Sequence, residues 1–338
     1  MRKSLLGLLV ACLLVSCNRG ATPKEVVVYT SVDQTHAEPV LRAFEEESGI
    51  RVKAVYDVEA TKTVGLVQRL LAERDRPQAD LFWSGEFAQT MHLMEEGVLA
   101  QGDYAAAGLP EGYVDPEGYW AAFGGRGRVI LINTDLVTPE TAPDSILDLL
   151  SESFPPEQVG LANPLFGTTA TEAAALHALL GVDAARDFYS GLVQRGVAVL
   201  DGNSVVRDRV ASGQLAWGLT DTDDACGAIL RAAPVQVIFP DQGEGAFGSL
   251  LIPNTVALIA GGPHPKEGQT LADFLLSART EAQLVELDWI AFPTRPLPEG
   301  VTPDCFAGVR VQGMQVGFEE IAAALAASQA ALKELFVQ

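Results

Sequence analysis

The amino-acid sequence predicts an α/β protein of two lobes with a ligand cleft between them, and three observations carry that expectation. Residues 25–97 run through strand and helix patterns in β-α-β-α-β-α order, which implies a parallel sheet with right-handed crossovers. A second α/β series begins after a break near residue 125. The chain has 338 residues, and a single packed core stops growing at roughly 250–300. In such an architecture a small ligand sits by default in the crevice between the lobes.

The elements follow from local pattern. Glu25–Ser31 is a β-branched run of the type buried in parallel sheets. A helix from Thr35 to Glu47 carries Ala37, Val40, Leu41 and Phe44 at helical spacing, and Gly49 stops it. Ile50–Tyr56 alternates as a second strand, Thr63–Arg74 is an amphipathic helix, Asp80–Trp83 a third strand and Phe87–Glu96 a helix. Tyr104–Tyr119, rich in Gly, Pro and Tyr, reads as irregular connection. Arg126–Asn133 is a long strand, and Ser145–Leu150 a short helix. Gly160–Ala162 is a strand that leads through Phe166-Gly167 into a helix from Thr169 to Leu180. Thr169 and Glu172 have the spacing of a capping box there. Helices at Ala184–Arg195 and Ser204–Ser212 flank a strand at Val197–Leu200. Strand Leu215–Leu219 then runs into a helix opened by acids, Asp221–Leu230. Val235–Phe239 is a strand, and Leu250–Ala260 is one interrupted by Pro253, where the chain crosses back to the first lobe. Three helices, Pro265–Leu276, Thr280–Leu287 and Phe318–Phe336, complete the reading.

Composition narrows the function. Lys+Arg is 23 against Asp+Glu at 44, a formal charge of −21; such a surface repels nucleic acid and anionic headgroups. No G-x-S-x-G elbow, H-E-x-x-H or strand-linked G-x-G-x-x-G is present, so no enzyme class is expected. Arg2 and Lys3 precede the apolar run Leu5–Val15, too short for a membrane span of about 20 residues. This is the signal-peptide pattern. Leu14-Val15-Ser16-Cys17 resembles the lipobox of bacterial lipoproteins, which implies cleavage after residue 16 and lipidation of Cys17. The chain is then exported and tied to the membrane by lipid alone. Cys226 and Cys305 remain; an even pair in an oxidising compartment favours a disulfide, with two buried thiols as the alternative.

Five motifs in order, Val28–Ser31, Ala79–Glu86, Gly124–Asn133, Ser212–Thr220 and Ile252–Val256, resemble the extracellular solute-binding proteins of ABC importers. The subgroup they resemble is the ferric-iron-binding periplasmic proteins. The resemblance implies the two-lobed type II periplasmic-binding-protein fold, closing on its ligand by hinge motion. By that likeness lobe one spans 25–125 plus 254–300, and lobe two 126–253 plus 301–338. The expected role is a monomeric substrate-binding lipoprotein that delivers ferric iron, with a synergistic anion beside it, to ABC permease subunits. No resident cofactor is implied; ferric iron is cargo. The chain departs from the iron binders at one place. Where they carry an adjacent tyrosine pair, this sequence has Asp223-Asp224. Carboxylates are hard oxygen donors and keep metal binding open. The loss of phenolates opens an alternative, a binding protein for an organic anion such as a phosphonate or sugar phosphate.

The candidate site follows from strand ends and helix starts. Ser31, Ser84 and Glu86 end lobe-one strands, with Glu86 also a metal-ligand candidate beside Asp223 and Asp224. Thr168 and Thr169 stand at a helix N-terminus suited to an oxyanion, and Asn203-Ser204 have the same character. Arg126 is placed to reach an anion, and Asp221 to face the cleft. Each has a plainer reading: caps and first-turn acids for Asp221, Asp223, Asp224, Glu86, Thr168, Thr169, Asn203 and Ser204, and a solvated strand-edge charge for Arg126. Trp83 reads as core, His36 as solvated or capping, His92 and His177 as structural, and His264 as loop.

Overall fold

The computed structural model describes residues 24–58, 63–105 and 107–337. The proposed signal segment and Cys17 lie outside the described residues. Ten strands form one continuous curled path. They are β1 (Glu25–Thr30), β2 (Arg51–Tyr56), β3 (Leu81–Ser84), β4 (Leu99–Ala100), β5 (Ala121–Asn133), β6 (Val159–Ala162), β7 (Ala198–Leu200), β8 (Trp217–Asp221), β9 (Val235–Ile238) and β10 (Leu251–Ile259). The helices are α1 (Gln34–Ser48), α2 (Val64–Ala72), α3 (Ala88–Glu95), α4 (Gly167–Leu180), α5 (Val182–Arg195), α6 (Asn203–Ala211), α7 (Thr222–Leu230), α8 (Pro265–Leu275), α9 (Ala278–Glu286) and α10 (Phe318–Phe336). None among the described residues is long and apolar enough to cross a membrane.

Strand order is β2-β1-β3-β10-β5-β8-β6-β7, with β4 on β10 and β9 on β5. In lobe one β1 pairs β2 and β3 in parallel. In lobe two β6 pairs β7 and β8 in parallel. The long antiparallel strands β5 and β10 join the halves. β5 is buried along its whole length, and its alternate residues serve opposite faces. Ile130 and Ile132 pack with α4 and α5, while Val129 and Leu131 pack with α6 and α7. The lobe-one sheet is likewise sandwiched. Val26, Val28 and Trp83 meet α1, α8 and α9 on one face, and Tyr29 and Phe82 meet α2, α3 and α10 on the other.

Three local outcomes differ from the sequence expectation. Pro253 does not break its strand: β10 runs through it, and the register with β5 shifts between Pro253 and Asn254. The two strands come so close there that a Cβ on Gly125 would stand 2.6 Å from the Ile252 carbonyl oxygen, so this crossing needs glycine. The expected Thr169–Glu172 capping box is absent: α4 starts at Gly167 with Phe166 as its N-cap, so Thr169 and Glu172 already lie inside the helix, and Glu172 pairs with Arg128. Finally, α10 lies across both halves, with Ile321, Ala322 and Leu325 on the α3 side and Leu332 against α4 and α5.

Cys226, on α7, and Cys305 are joined as a disulfide with Cα atoms 5.6 Å apart. The bond ties α7 to the segment after Phe292, which itself bridges to Gly125.

Candidate functional site

Parallel strands deliver loops at their carboxyl ends, and both lobes turn those ends toward each other. Ser31 follows β1; Ser84, Gly85 and Glu86 close β3; Thr168 follows β6; Asn203 follows β7; Asp221 ends β8. With Thr63, Arg126 and Asp224 these residues, Ser84 excepted, line one cavity of about 20 Å³. That volume holds a water-sized group.

On the lobe-one side the hydroxyls of Ser31 and Ser84 lie 3.3 Å apart, and Gly85 N–H donates to Ser31 Oγ at 3.0 Å. The Glu86 carboxylate accepts from Gln89 N–H at 3.2 Å and, across the cleft, from Thr171 Oγ1 at 2.9 Å. Burial drives the Glu86 carboxyl up to about 7 despite these bonds.

The other side is organised around two arginines two residues apart on β5. Arg126 donates from Nη2 to the Gly85 carbonyl at 2.8 Å and pairs through Nη1 with Asp221 and Asp223, each at 3.3 Å. Its guanidinium lies 4.0 Å from the Trp289 ring centre, a cation–π contact. Arg126 is buried, and its Nε has no hydrogen-bond partner among the described residues. Arg128 donates to Asp221 at 2.8 Å, Asn203 at 3.0 Å and Glu172 at 3.1 Å. Thr168 Oγ1 donates to Asp221 Oδ2 at 2.7 Å. Burial alone would raise the Asp221 carboxyl, but the charges of Arg128 and Arg126 outweigh it and hold the group below its usual value. Asp224 pairs with Arg207 at 2.9 Å.

Asp221, Asp223 and Asp224 each present a carboxylate oxygen within 4.8 Å of the others. They start α7, where acids are also favoured by the helix dipole. Oxygen donors in this number suit a hard cation. The orphaned Arg126 Nε and the buried hydroxyls suit an oxyanion. The arrangement therefore has a cation-seeking part and an anion-seeking part in one cavity.

Of the residues expected from sequence, Ser31, Ser84, Glu86, Arg126, Thr168, Asn203, Asp221, Asp223 and Asp224 converge. Thr169 reaches the group only through Asn203, at 3.4 Å, and Ser204 is not among the cavity walls. Trp83 is core. His36 packs 5.1 Å from Trp289, His92 is on α3, His177 hydrogen-bonds Ala173 within α4, and His264 bonds Asp80. Sequence reasoning missed Thr63, Gly85 and Arg128. The signal for Arg128 was present, since a strand puts residues 126 and 128 on one face.

Residues 40–302 match the family described as bacterial extracellular solute-binding protein. The chain belongs to that family. Among its relatives is a Salmonella typhi periplasmic protein named for 2-aminoethylphosphonate binding, 27% identical over 340 residues, covering 97% of this chain and 96% of the relative. Iron uptake protein A1 of Synechocystis is 25% identical over 281 residues, covering 78% of this chain and 74% of that protein. Iron-bound HitA from Pseudomonas aeruginosa superimposes with a TM-score of 0.80 at 18% identity, over 93% of this chain and 100% of HitA. The fold is accordingly the two-lobed type II binding-protein fold.

Proposed function

We propose that this chain is the exported, lipid-anchored substrate-binding component of an ABC importer, with Cys17 as the lipidated residue. It captures ferric iron together with a companion oxyanion, closes over them, and presents the closed form to permease subunits as a monomer, without chemical turnover. The moving bodies are residues 25–125 plus 254–300 and residues 126–253 plus 301–338. One observation carries the ligand: three carboxylates gather within 4.8 Å beside a cavity walled by both lobes. Asp223 and Asp224, with Glu86 opposite, serve the metal. Arg126, Thr168 and Asn203 serve the anion, with Thr169 behind Asn203, Ser31 completes the wall with Ser84 behind it, and Asp221 holds the arginines. No tyrosine is among the cavity walls, so the ferric form is expected to lack the visible phenolate-to-iron absorption.

A second reading rests on the unpartnered Nε of Arg126 and the full-length similarity to the Salmonella protein. A single solute carrying a phosphonate or phosphate group and an amine would satisfy both parts of the site, after the lobes part further to admit it.

Thermal shift of the purified protein separates the two. Ferric citrate with bicarbonate is compared with 2-aminoethylphosphonate and with a sugar phosphate. A bound ligand at a hundredfold excess over Kd stabilises by about 2.7 kcal/mol. The iron reading expects that gain with iron, and its loss in Asp223→Ala/Asp224→Ala. A shift with the phosphonate alone overturns the iron reading in favour of the second, and no shift with any of them overturns both.

A further inference from the structure

We propose that Arg128 is a positioning residue that assembles the lobe-two half of the site before ligand arrives. The inference rests on the cleft being the binding site and adds the residue that organises one of its halves. Arg128 is fully buried, and among the described residues its side-chain hydrogen-bond partners all lie in lobe two. Its two terminal nitrogens hold residues from three elements: Asp221 at the end of β8, Asn203 at the start of α6, and Glu172 on α4, with Thr168 at 3.5 Å from the same Nη1. A second layer of bonds closes the set, since Asn203 Nδ2 donates to Thr168 Oγ1 at 2.9 Å and to Asp221 Oδ2 at 3.2 Å.

A guanidinium is planar, stays charged and presents its donors in a fixed fork. Four polar side chains that would each have several rotamers are thereby fixed relative to one another, and the ordering they would otherwise undergo on binding is already complete. Lobe one is joined up differently, through short local bonds among Ser31, Ser84, Gly85 and Glu86 with no central cation. The bonds of Glu86 to Thr171 and of Arg126 to Gly85 cross the cleft.

The test uses the intact mature protein. Arg128→Gln combined with Glu172→Gln removes the guanidinium without leaving Glu172 as an unpaired charge, and Arg128→Lys keeps the charge without the fork. Side-chain amide exchange at Asn203, followed by NMR in ligand-free protein, reads preassembly. Stopped-flow tryptophan fluorescence, in which Trp289 lies against Arg126, reads association of ferric citrate with bicarbonate and of 2-aminoethylphosphonate. The double variant is expected to fold, to exchange the Asn203 amide at least tenfold faster, and to associate at least tenfold more slowly. Arg128→Lys is expected to fall between. Wild-type Asn203 exchange in either folded Arg128 variant overturns the proposal, as does a wild-type association rate. If neither ligand binds the unmodified protein, the proposed function fails, and the Asn203 exchange comparison alone decides the role of Arg128.

Discussion

Glu86 is caught between opposed influences, and their magnitudes decide its behaviour. Hydrogen bonds from Thr171 and Gln89 favour the carboxylate, burial disfavours it, and burial wins, lifting the group to about 7 from the usual 4.5. For an acid raised on folding, the stabilising contribution is complete below the unfolded value and is lost as pH rises through the folded one. The window is therefore roughly pH 4.5 to 7, and the loss is about 3 kcal/mol at 1.36 kcal/mol per unit. Urea unfolding of ligand-free protein at pH 5 and pH 8 should show that decline, and Glu86→Gln should remove it; an unchanged decline in the variant places its source elsewhere. Thr63 makes a second case. It is a buried, β-branched residue at φ +67° and ψ −49°, and it stands before α2 without capping it. Such a backbone costs about 1–3 kcal/mol unless the residue is glycine. Since Thr63 also lines the cavity, Thr63→Gly should raise the unfolding midpoint while weakening ligand binding. Calorimetry and a binding titration on one preparation check that opposite movement, and a variant that loses both or gains both shows that the strain serves no ligand.

The elements show which signals a sequence carries. α10 was expected at Phe318–Phe336 and is found there, because a long Ala-rich helix with acids in its first turn declares itself locally. β5 was legible as an apolar run but begins five residues earlier, since its first residues, Ala121–Gly125, pair with β10, far away in sequence. β4, two residues long, is too short to have a period. The site divides the same way. Ser31, Ser84, Thr168 and Asn203 lie at strand ends and helix starts, which are local features. The role of Arg128 depends on partners 40 to 93 residues away, and no spacing reveals them. Glu172 illustrates the difference: its capping-box spacing from Thr169 is local, but the helix starts two residues before Thr169, and its partner Arg128 lies 44 residues away. The disulfide acts at this scale too. It closes a loop of 79 residues, for which the chain-entropy estimate is at most about 4–5 kcal/mol. Reduction, or Cys226→Ala/Cys305→Ala, should lower the thermal midpoint by several degrees and loosen α7, which carries Asp223 and Asp224. Hydrogen exchange with and without reductant checks this, and unaltered exchange in α7 would confine the bond to a local role.

At the scale of the whole molecule the two halves are joined by crossing strands and by α10, which packs on both. β5 and β10 cross between them, and the segment around Phe292 bridges to Gly125 beside the same crossing. Across the mouth of the cleft the direct side-chain bond is Thr171 Oγ1 to Glu86 Oε2 at 2.9 Å. Above pH 7, where Glu86 is mainly ionised, a hydrogen bond to that charged partner contributes about 1.5–3 kcal/mol. A contribution of that size is enough to move a two-state open–closed balance by roughly tenfold to a hundredfold. Thr171→Val keeps the shape of the side chain and removes the donor. It should shift ligand-free protein toward the open form, so the radius of gyration from small-angle scattering should exceed that of the unmodified protein. Saturating ligand should bring the two back together, because differential affinity for the closed form restores what the bond supplied. Binding should weaken by about the factor that the closed population falls. If ligand-free scattering is the same for both proteins, the Thr171–Glu86 bond does not set the balance, and closure rests on Arg126 and the hinge strands instead.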